Sequence, residues 1–550
     1  MHHLLKKSWQ TVHQDGMRAF LRKAYHHLHR KGDAAPDVAA TYEALRRAEA
    51  PAYRRWLDAQ RPSAEALRGQ AAAVFPEMPL ISIVVPVYNT EPRYLQALAD
   101  SIFAQSYGRW ELLLVDGCST RPETLALLDK LAAADSRIHM LHLPENLGIS
   151  GNTNRGIERA AGSYIAFSDH DDTWEPDALY EVVRAIHDAP APADVIYTDE
   201  DKIDESGTLY YEPHRKPDYS PEKLQSCNYM NHLTVLSRAV LDRVGFLRSG
   251  FDGSQDHELV LRACDAARAV CHVPRVLYHW RQFSASMSKQ HLEACQAAGR
   301  RAVAEHLARI GLPGMVTQDH GYRIAFETPA DARMDEITVD LAHPHLYAAL
   351  HAAAQASSAD YLLFRDARLV PAGDGAWQKE LLMYAQQDAV GCVTGKLLLP
   401  AGDAICMTNW LLAPDGPRPE FHGHSLGVIG PGGRERIVRN IAAAPLPFLF
   451  VRRAAFLAVG GFDASYDRAF GDIDLCTRMR ARGLRHVYTP YAVLRFASAP
   501  DDFLTLWAAR EGADWERFAA DSAHFQDDCS RLPFDEEPAD ASAGSERNPR

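Results

Sequence analysis

The sequence lacks the signatures of several large protein classes. Its nine cysteines include no C-x-x-C pair, and nine scattered thiols in a chain of 550 residues do not indicate a disulfide framework. It has no run of 18 apolar residues, and its beginning shows no apolar core followed by a small-residue cleavage site. We therefore expect reduced thiols, no membrane-spanning helix and no signal peptide, which together favour a cytoplasmic protein.

Glycine-rich nucleotide loops and an excess of basic charge are also missing. Neither G-x-G-x-x-G nor G-x-x-x-x-G-K occurs, which disfavours a dinucleotide-binding fold and a P-loop ATPase. The formal net charge is −13, so we expect no nucleic-acid partner. The composition, 47% hydrophobic and 24% charged, is that of an ordinary globular protein. At this length the chain should form two or three domains.

Residues 1–78 have helical patterning and no strand patterning. Residues 1–32 contain seven Lys or Arg side chains and one acid, Asp15, with apolar residues at near-helical spacing. Such a helix can lie on an anionic membrane surface or pack against the neighbouring domain. We favour packing, because Gly16 and Gly32 interrupt the pattern. The acidic segment 531–550 is predicted to be disordered.

From residue 79, strands and helices alternate. Apolar runs predict strands at 80–86, 111–115, 137–143 and 163–167, separated by helices. This alternation predicts a parallel sheet with right-handed crossovers, in the α/β class. A polar residue follows each strand, namely Asn89, Asp116, Asn146 and Asp169. Because the carboxyl ends of parallel strands share one edge, we expect the ligand crevice there.

Three carboxylates crowd together after the fourth strand, in the segment FSDHDD at 167–172. They are Asp169, Asp171 and Asp172. Such carboxylates repel one another unless a cation lies between them, and hard oxygen ligands suit Mg²⁺ or Mn²⁺. An acidic turn that caps a helix is the alternative interpretation. The segment predicts a divalent metal site that bridges substrate phosphates.

Seven segments, in order, resemble the family 2 glycosyltransferases, which have the GT-A fold. The subgroup that they resemble is the rhamnosyltransferase-like bacterial enzymes of O-antigen and capsular polysaccharide synthesis. The segments are 82–89 (SIVVPVYN), 110–119 (WELLLVDGCS), 146–161 (NLGISGNTNRGIERAA), 167–172 (FSDHDD), 197–204 (YTDEDKID), 253–262 (GSQDHELVLR) and 272–281 (HVPRVLYHWR). They cover about residues 79–312. One departure is Gly117, where the family usually has a second acidic or amide residue.

The resemblance implies roles for individual residues. Asp256, at a predicted helix start, corresponds to the catalytic base, although the helix dipole alone would also favour a carboxylate there. The implied metal ligands, for Mn²⁺ or Mg²⁺, are Asp169, Asp171 and His279. The implied donor-binding residues are Pro86, Tyr88, Asn89, Asp116, Asn146, Arg155 and Asp169. The implied acceptor-side residues are Asp199, Asp201, Asn228, His232 and Trp280.

The resemblance implies an inverting, metal-dependent glycosyltransferase. Departure of a diphosphate needs charge neutralisation, and an acceptor hydroxyl needs a base. The expected donor is a nucleotide-diphosphate sugar, and the expected acceptor is a lipid-linked or growing glycan at the cytoplasmic face of the inner membrane. A non-catalytic scaffold of a polysaccharide assembly complex is one alternative. The other is a sugar-phosphate nucleotidyltransferase, which usually has a glycine-rich loop where this chain has Pro86–Val87–Tyr88–Asn89.

The C-terminal half repeats the first half weakly, which predicts a second, truncated GT-A-like module at 313–530 after a catalytic domain at 79–312. Segment 360–368 matches 163–171, and Asp472 and Arg495 match Asp256 and His279 with the same separation of 23 residues. A strand at 336–341 matches the third strand of the first domain. Arg368 replaces Asp171 in this copy, so we expect a module that buttresses the first domain or binds glycan. A metal-independent phosphate site at the two arginines is the sharper hypothesis.

Overall fold

The computed structural model describes residues 38–283, 292–373, 375–413, 416–426, 433–509 and 512–520. Two mixed β-sheets lie within these residues, each flanked by helices, and a two-stranded hairpin lies between them along the chain. The basic segment 1–32 and the acidic segment 531–550 lie outside the described residues, so the expectations for them stay predictions.

Two helices precede the first sheet, namely α1 (Val38–Gln60) and α2 (Ala64–Ala72). The second begins at Ser63, whose hydroxyl accepts a hydrogen bond from Ala66 N at 3.1 Å and so caps the helix. The last turns of α1 pack on the first sheet, where Tyr53 and Leu57 are buried against Val276.

Four parallel strands and three crossover helices build the first half of the first sheet. They are β1 (Ile81–Val87), α3 (Pro92–Phe103), β2 (Trp110–Asp116), α4 (Pro122–Ala134), β3 (Ile138–His142), α5 (Gly148–Arg159) and β4 (Tyr164–Phe167). Their order in the sheet is β3-β2-β1-β4. The apolar runs of β1 and β2 are buried, because helices cover both faces of a parallel sheet.

Antiparallel pairings complete the first sheet. The elements are β5 (Thr173–Trp174), α6 (Ala178–Asp188), β6 (Val195–Ile203), β7 (Tyr210–His214), α7 (Pro221–Ser226), β8 (Thr234–Ser237), α8 (Arg238–Val244), α9 (Gln255–Ala266), β9 (Val270–Arg281) and α10 (Leu292–Arg309). The full order is β3-β2-β1-β4-β8-β6-β9-β5, with β7 paired to β6. Strand β8 runs antiparallel to both of its neighbours.

A hairpin of β10 (Gly314–Gln318) and β11 (Tyr322–Phe326) leads to the second sheet. The elements that follow are β12 (Met334–Val339), α11 (Leu346–Ala356), β13 (Tyr361–Asp366), β14 (Leu369–Pro371), α12 (Trp377–Ala385), β15 (Val390–Leu398), β16 (Ile405–Met407), β17 (Trp410–Ala413), β18 (Gly416–Pro419), β19 (Arg439–Ile441), β20 (Phe448–Arg452), α13 (Arg453–Ala458), α14 (Gly471–Arg480), β21 (Arg485–Phe496), α15 (Asp501–Ala508) and α16 (Ala513–Ala520).

The second sheet repeats six strands of the first in order and direction. The order β12-β13-β20-β15-β21-β14 has the same parallel and antiparallel pairings as β1-β4-β8-β6-β9-β5. The outer strands β2 and β3 have no counterpart among the described strands of this sheet. The prediction that 336–341 copies the third strand is wrong in one respect. Strand β12 pairs with β13 as β1 pairs with β4, and so it occupies the position of the first strand.

One cluster of buried apolar side chains runs from the first sheet into the second, with Val84 and Ile165 in one and Phe364 and Phe448 in the other. A second cluster packs on the opposite face of the first sheet. The two sheets therefore share a core. Within the described ranges, no helix combines the length and the apolar character needed to cross a bilayer.

Candidate active site

The carboxyl ends of β2 and β3 meet at Asp116. This carboxylate is 2% exposed and accepts hydrogen bonds from Ser119 N at 2.9 Å and from the His142 ring, whose Nδ1 lies 3.0 Å from Asp116 Oδ2. His142 was not predicted from the sequence, although its position as the last residue of β3 was a usable signal. The pairing orients Asp116 at the edge where the ligand crevice was expected.

Asn89, after β1, organises the loop that surrounds Asp116. Its backbone lies in the left-handed region, with φ of 49°, and its side-chain oxygen accepts hydrogen bonds from Thr120 N at 2.8 Å and Arg121 N at 3.0 Å. The predicted donor residue Tyr88 is 48% exposed beside it, and Pro86 lies opposite Val115 in the sheet. Asn89 thus positions the loop, while the Tyr88 ring is the part that stays accessible.

The departure from the family pattern at Gly117 has a steric cause. A Cβ on Gly117 would lie 3.2 Å from Asn146 Oδ1 and would overlap the amide of Asn152. Asn152 Nδ2 donates to Asn146 Oδ1 at 3.0 Å, so this amide pair fills the space that a side chain at 117 would need. Arg155, predicted to bind donor, is exposed and pairs with Glu158 at 2.8 Å, away from these contacts.

The three carboxylates after β4 divide into two accessible groups and one buried group. Asp172 is fully buried, where it accepts hydrogen bonds from the Tyr278 hydroxyl at 2.5 Å and from Arg281 N at 2.6 Å. The side chains of Asp169 and Asp171 are 45% and 23% exposed. Burial raises the pKa of Asp171, and the Asp169 charge adds to this. A divalent cation would relieve that repulsion, so Asp169 and Asp171 fit a metal.

The structure does not place His279 with these carboxylates as a metal ligand. Its Nδ1 lies 2.6 Å from Asp201 Oδ1 and its Nε2 lies 2.8 Å from Glu175 Oε1, so both ring nitrogens are occupied. Burial alone would lower the pKa of His279, but the two carboxylates outweigh it and raise the pKa to about 10. Tyr53 and Arg61 bind the same carboxylates, so this network attaches the N-terminal helical region to the sheet.

The acidic run in β6 points to two faces of the sheet. Asp199 and Asp201, predicted on the acceptor side, are almost completely buried on the face that holds His272 and His279. Glu200 lies on the other face, because successive side chains alternate along a strand. It accepts hydrogen bonds from His232 N at 2.6 Å and lies 3.1 Å from His232 Nδ1. The structure therefore places the two aspartates on the face opposite Glu200 and His232, and their acceptor-side role stays a prediction. Period-two alternation was the signal for Glu200.

His232 connects the metal-site carboxylates with the acceptor side. Its Nε2 lies 3.8 Å from Asp169 Oδ2, and its ring stacks on Tyr278 with centroids 4.9 Å apart. Burial lowers its pKa, but Glu200 and Asp169 outweigh this and raise the pKa to about 9. Trp280 packs beside the same ring at 5.8 Å. A positive imidazolium therefore lies next to the carboxylates that would hold a metal.

Asp256 lies in the first turn of α9 and is partly exposed. Asn231 donates through its amide to Asp256 Oδ2, and His257 N donates to Oδ1 at 2.7 Å. These two donors fix the orientation of the Asp256 carboxylate at the start of α9. Because Asn231 is adjacent to His232 in the chain, the loop before β8 contacts both Asp256 and Asp169.

The first sheet and the second meet at α7. Ser220 donates to Asn440 Oδ1 at 2.8 Å and accepts from Asn440 N at 3.2 Å, and Arg485 pairs with Glu222 at 2.9 Å. On its other side, α7 offers the Leu224 carbonyl to the His257 ring at 2.7 Å. Helix α7, which precedes the loop that reaches Asp256, is thus held between the second sheet and α9.

The two arginines of the second sheet do not form an open phosphate site. Arg368 pairs with Asp366 at 2.7 Å and with Asp502 at 2.9 Å. Arg495 donates to the carbonyls of Leu399 and Gly402 at 2.9 and 2.7 Å. These guanidinium groups bind within the protein, and the hypothesis of a metal-independent phosphate site is not supported.

A buried group of two thiols and one imidazole in the second sheet also resembles a metal site. Cys392, Cys476 and His486 place their ligand atoms within 4.8 Å of one another. His486 Nδ1 accepts from Cys392 N at 2.9 Å, however, and Nε2 lies 2.9 Å from the Cys476 carbonyl. Both ring nitrogens are used, and this group is part of the core.

The sheet order and the crevice at the strand ends define the GT-A class of nucleotide-diphospho-sugar transferases. Residues 82–245 match glycosyl transferase family 2. The chain is 36% identical over 485 residues to "Uncharacterized protein y4gI" of Sinorhizobium fredii, covering 76% of this chain and 53% of the relative. It is 32% identical over 511 residues to "O-antigen biosynthesis protein RfbC" of Myxococcus xanthus, covering 80% of this chain and 39% of the relative.

Residues 82–245 of the chain therefore form a family 2 glycosyltransferase domain. The chain spans about half the length, or less, of these curated relatives. Among solved structures, S. aureus TarS 1-349 in complex with UDP-GlcNAc aligns with 18% identity and a TM-score of 0.34, over 42% of this chain and 72% of that one.

Proposed function

We propose that the chain is an inverting, metal-dependent glycosyltransferase that moves a sugar from a nucleotide-diphosphate donor to a saccharide hydroxyl. The observation that carries the proposal is the series of contacts along one edge of the first sheet. His232 lies 3.8 Å from Asp169, and its neighbour Asn231 contacts Asp256. The family 2 match over this region supports the same reaction class.

Asp116 and Tyr88 suit the nucleoside of the donor. Asp116 is held by Ser119 N and His142 at the end of β2, with acceptor capacity left for hydroxyl or N–H groups of a nucleoside. The accessible ring of Tyr88 can pack on a base or ribose.

Asp169 and Asp171 would hold Mn²⁺ or Mg²⁺. A divalent ion there supplies Lewis-acid neutralisation of the diphosphate leaving group. The chain adds the charge of His232, which Glu200 orients through Nδ1. His279 is not included among these ligands, because Glu175 and Asp201 use both of its nitrogens.

Asp256 would act as the base. It would accept the proton of the acceptor hydroxyl while that oxygen attacks the anomeric carbon and the bond to the diphosphate oxygen breaks. A single displacement inverts the anomeric centre and needs one base. Asn231 orients the Asp256 carboxylate and is thus a positioning residue.

The acceptor that we propose is a lipid-linked or growing glycan of a cell-surface polysaccharide, with the reaction at the cytoplasmic face of the inner membrane. The similarity to O-antigen biosynthesis protein RfbC of Myxococcus xanthus supports this assignment. Radiolabelled transfer from nucleotide sugars to lipid extracts of a polysaccharide-producing strain would test the acceptor class.

The decisive experiment is thermal unfolding of the full chain with UDP, dTDP or GDP, each with and without Mn²⁺. A nucleotide at about one hundred times its dissociation constant should add about 2.7 kcal/mol of stability. We expect a Mn²⁺-dependent shift with one nucleotide, absent in Asp171→Asn. The control is Asp366→Asn, at the position of the second sheet that is equivalent to Asp169, which should keep the shift. If none of the three nucleotides shifts the unfolding midpoint, the scaffold alternative is favoured.

A further inference from the structure

A buried lysine near the loop that carries Asn231 has no carboxylate of its own. Lys223, on α7, is 3% exposed, and among the described residues its side chain makes no hydrogen bond or ion pair. The ring of Tyr229 lies 5.0 Å from Nζ. Burying an ammonium without a partner costs free energy, so a group outside the described chain is the expected counterpart.

Lys216 is a buried lysine of the same region whose ammonium group does have hydrogen-bond acceptors. It is 1% exposed, and its Nζ donates to the carbonyls of Met230 and His232 at 3.2 and 2.6 Å. Lys216 thus has a structural role that Lys223 lacks.

Two buried hydrogen-bond acceptors without partners occur in the same part of the fold. Among the described residues, neither His214 Nε2 nor Asn228 Oδ1 has a hydrogen-bond partner. His214 Nδ1 lies 3.3 Å from Glu200, so Nδ1 carries the proton and Nε2 presents a lone pair. Burial lowers the pKa of His214, and the nearby Lys223 charge contributes to the shift. Asn228 follows α7, next to Cys227, whose sulfur interacts with Lys223.

The second sheet adds positive charge to this region. Arg434 and Arg439 both pair with the single carboxylate of Glu420. Burial lowers the pKa of Lys223 to about 8, and the charges of these two arginines contribute. Because Lys216, Arg434 and Arg439 all disfavour the positive charge of Lys223, an incoming anion would be attracted.

We propose that Lys223, His214 and Asn228 form an acceptor subsite for an acidic saccharide, in which Lys223 pairs with a carboxylate or phosphate and the other two accept hydrogen bonds from sugar hydroxyls. The inference rests on the proposed function, since it names the class of acceptor for the same site. The loop that contains Asn228 continues to Asn231, which contacts Asp256, so a sugar bound here lies on the base side.

The test uses the full chain without divalent metal, so that anions do not bind at Asp169 and Asp171. The probes are D-glucuronate, inorganic phosphate and, as the neutral comparison, D-glucose, each titrated while the unfolding midpoint is recorded. The variants are Lys223→Met, which keeps length and removes charge, and Lys130→Met, the same change at an exposed lysine of α4.

We expect glucuronate or phosphate to raise the midpoint of the wild type and of Lys130→Met. In Lys223→Met the affinity should fall at least about tenfold, as expected for loss of a charge-assisted hydrogen bond. The larger of the two anion responses identifies the acidic group. The ligand-free midpoint of Lys223→Met should stay the same or rise, because an unpartnered ammonium has been removed. An unchanged anion response in this variant would overturn the proposal.

Asn228→Asp keeps the test decisive if Lys223→Met does not fold. It places a carboxylate beside Lys223 and should abolish the anion response, whereas persistence of that response would refute the subsite. The nucleotide panel with Mn²⁺ is measured on the same samples. A nucleotide shift without an anion shift refutes only the subsite, while absence of every nucleotide shift refutes the proposed function.

Discussion

The equivalent strand ends of the two sheets differ in how the negative charge of their carboxylates is balanced. After β4, two carboxylates, Asp169 and Asp171, lie together with partly exposed side chains. After β13, the second carboxylate is replaced by Arg368, which forms a two-point ion pair with Asp366. A cation within the chain thus neutralises the second site, while the first is suited to a cation from solution. The repeated backbone supports either solution, so function follows from the few side chains at the strand end.

The starts of α9 and α14 also differ, because the carboxylate is accessible in the first helix and is bound within the protein in the second. Asp256 is partly exposed at the start of α9. Asp472, at the start of α14, is fully buried and accepts hydrogen bonds from the indoles of Trp410 and Trp507 at 3.0 and 3.1 Å, and from Leu446 N at 2.9 Å. Burial raises the pKa of Asp472 to about 6. The position that would hold a base in one sheet anchors aromatic side chains in the other.

Among the substitutions that test the difference between the two sheets, we expect the largest effect, a loss of turnover, at Asp256. In Asp256→Asn, turnover of the nucleotide sugar identified by binding should fall about 100- to 10,000-fold, because the acceptor hydroxyl loses its base. Nucleotide binding and the unfolding midpoint should stay close to wild type. Steady-state kinetics beside thermal unfolding measures both, and wild-type turnover would remove Asp256 from the mechanism.

The next effect concerns His279 and Arg495, which occupy the same place in the two sheets. His279 lies opposite Thr173 in β5, and Arg495 lies opposite Val370 in β14. Since folding raises the pKa of His279 to about 10, its stabilisation is complete below about pH 6.5 and is lost as the pH rises to 10. The difference in free energy of unfolding between wild type and His279→Gln should be largest near pH 6.5, at most about 5 kcal/mol, and should decrease as the pH rises to 10.

Arg495→Gln is the matched variant, because arginine keeps its charge throughout that range. Its stability gap to wild type should not depend on pH. Denaturant unfolding at pH 6, 8 and 10 measures the stability difference of each variant from wild type. If this difference changes with pH in the same way for both variants, His279 is not stabilised by Glu175 and Asp201.

A smaller loss of stability is expected for Asp472→Asn. An amide has one oxygen where the carboxylate has two, so some of the buried donors from Trp410, Trp507 and Leu446 lose their acceptor. Each lost acceptor should cost about 1–3 kcal/mol. Urea unfolding of Asp472→Asn, compared with Asp256→Asn, tests whether the second position is structural. If Asp472→Asn is as stable as Asp256→Asn, the Asp472 carboxylate has no structural role.

The smallest effect is at the junction of the sheets. Asn440→Ala removes one partner of Ser220, and we expect a loss of about 1 kcal/mol. Because the two sheets share one apolar cluster, unfolding should remain a single transition in this variant. Intrinsic fluorescence and far-ultraviolet circular dichroism, recorded on the same urea series, should give coincident curves. Two separated transitions would show that the sheets unfold independently.

Much of the architecture could be predicted from local patterns. Apolar runs and alternating helices predicted the parallel strands, and the polar residues after them mark the edge where Asp116 and Asp169 lie. The shared separation of 23 residues predicted the second copy, whose strand register agrees. The side-chain partners could not be predicted in this way, because those partners lie far away in sequence. His279, for example, pairs with residues 78 and 104 positions earlier.

By itself, the sequence determined the four parallel strands β1 to β4, the acidic strand end and the existence of a second copy, because burial and turn formation depend on neighbouring residues. Only the tertiary structure decided that Glu200 rather than Asp199 or Asp201 contacts His232, and that Arg368 is paired within the protein. It also decided that Lys223 is buried without a carboxylate among the described residues. These outcomes depend on which charges are brought within a few ångströms by folding, since electrostatic interactions act through space and not along the chain.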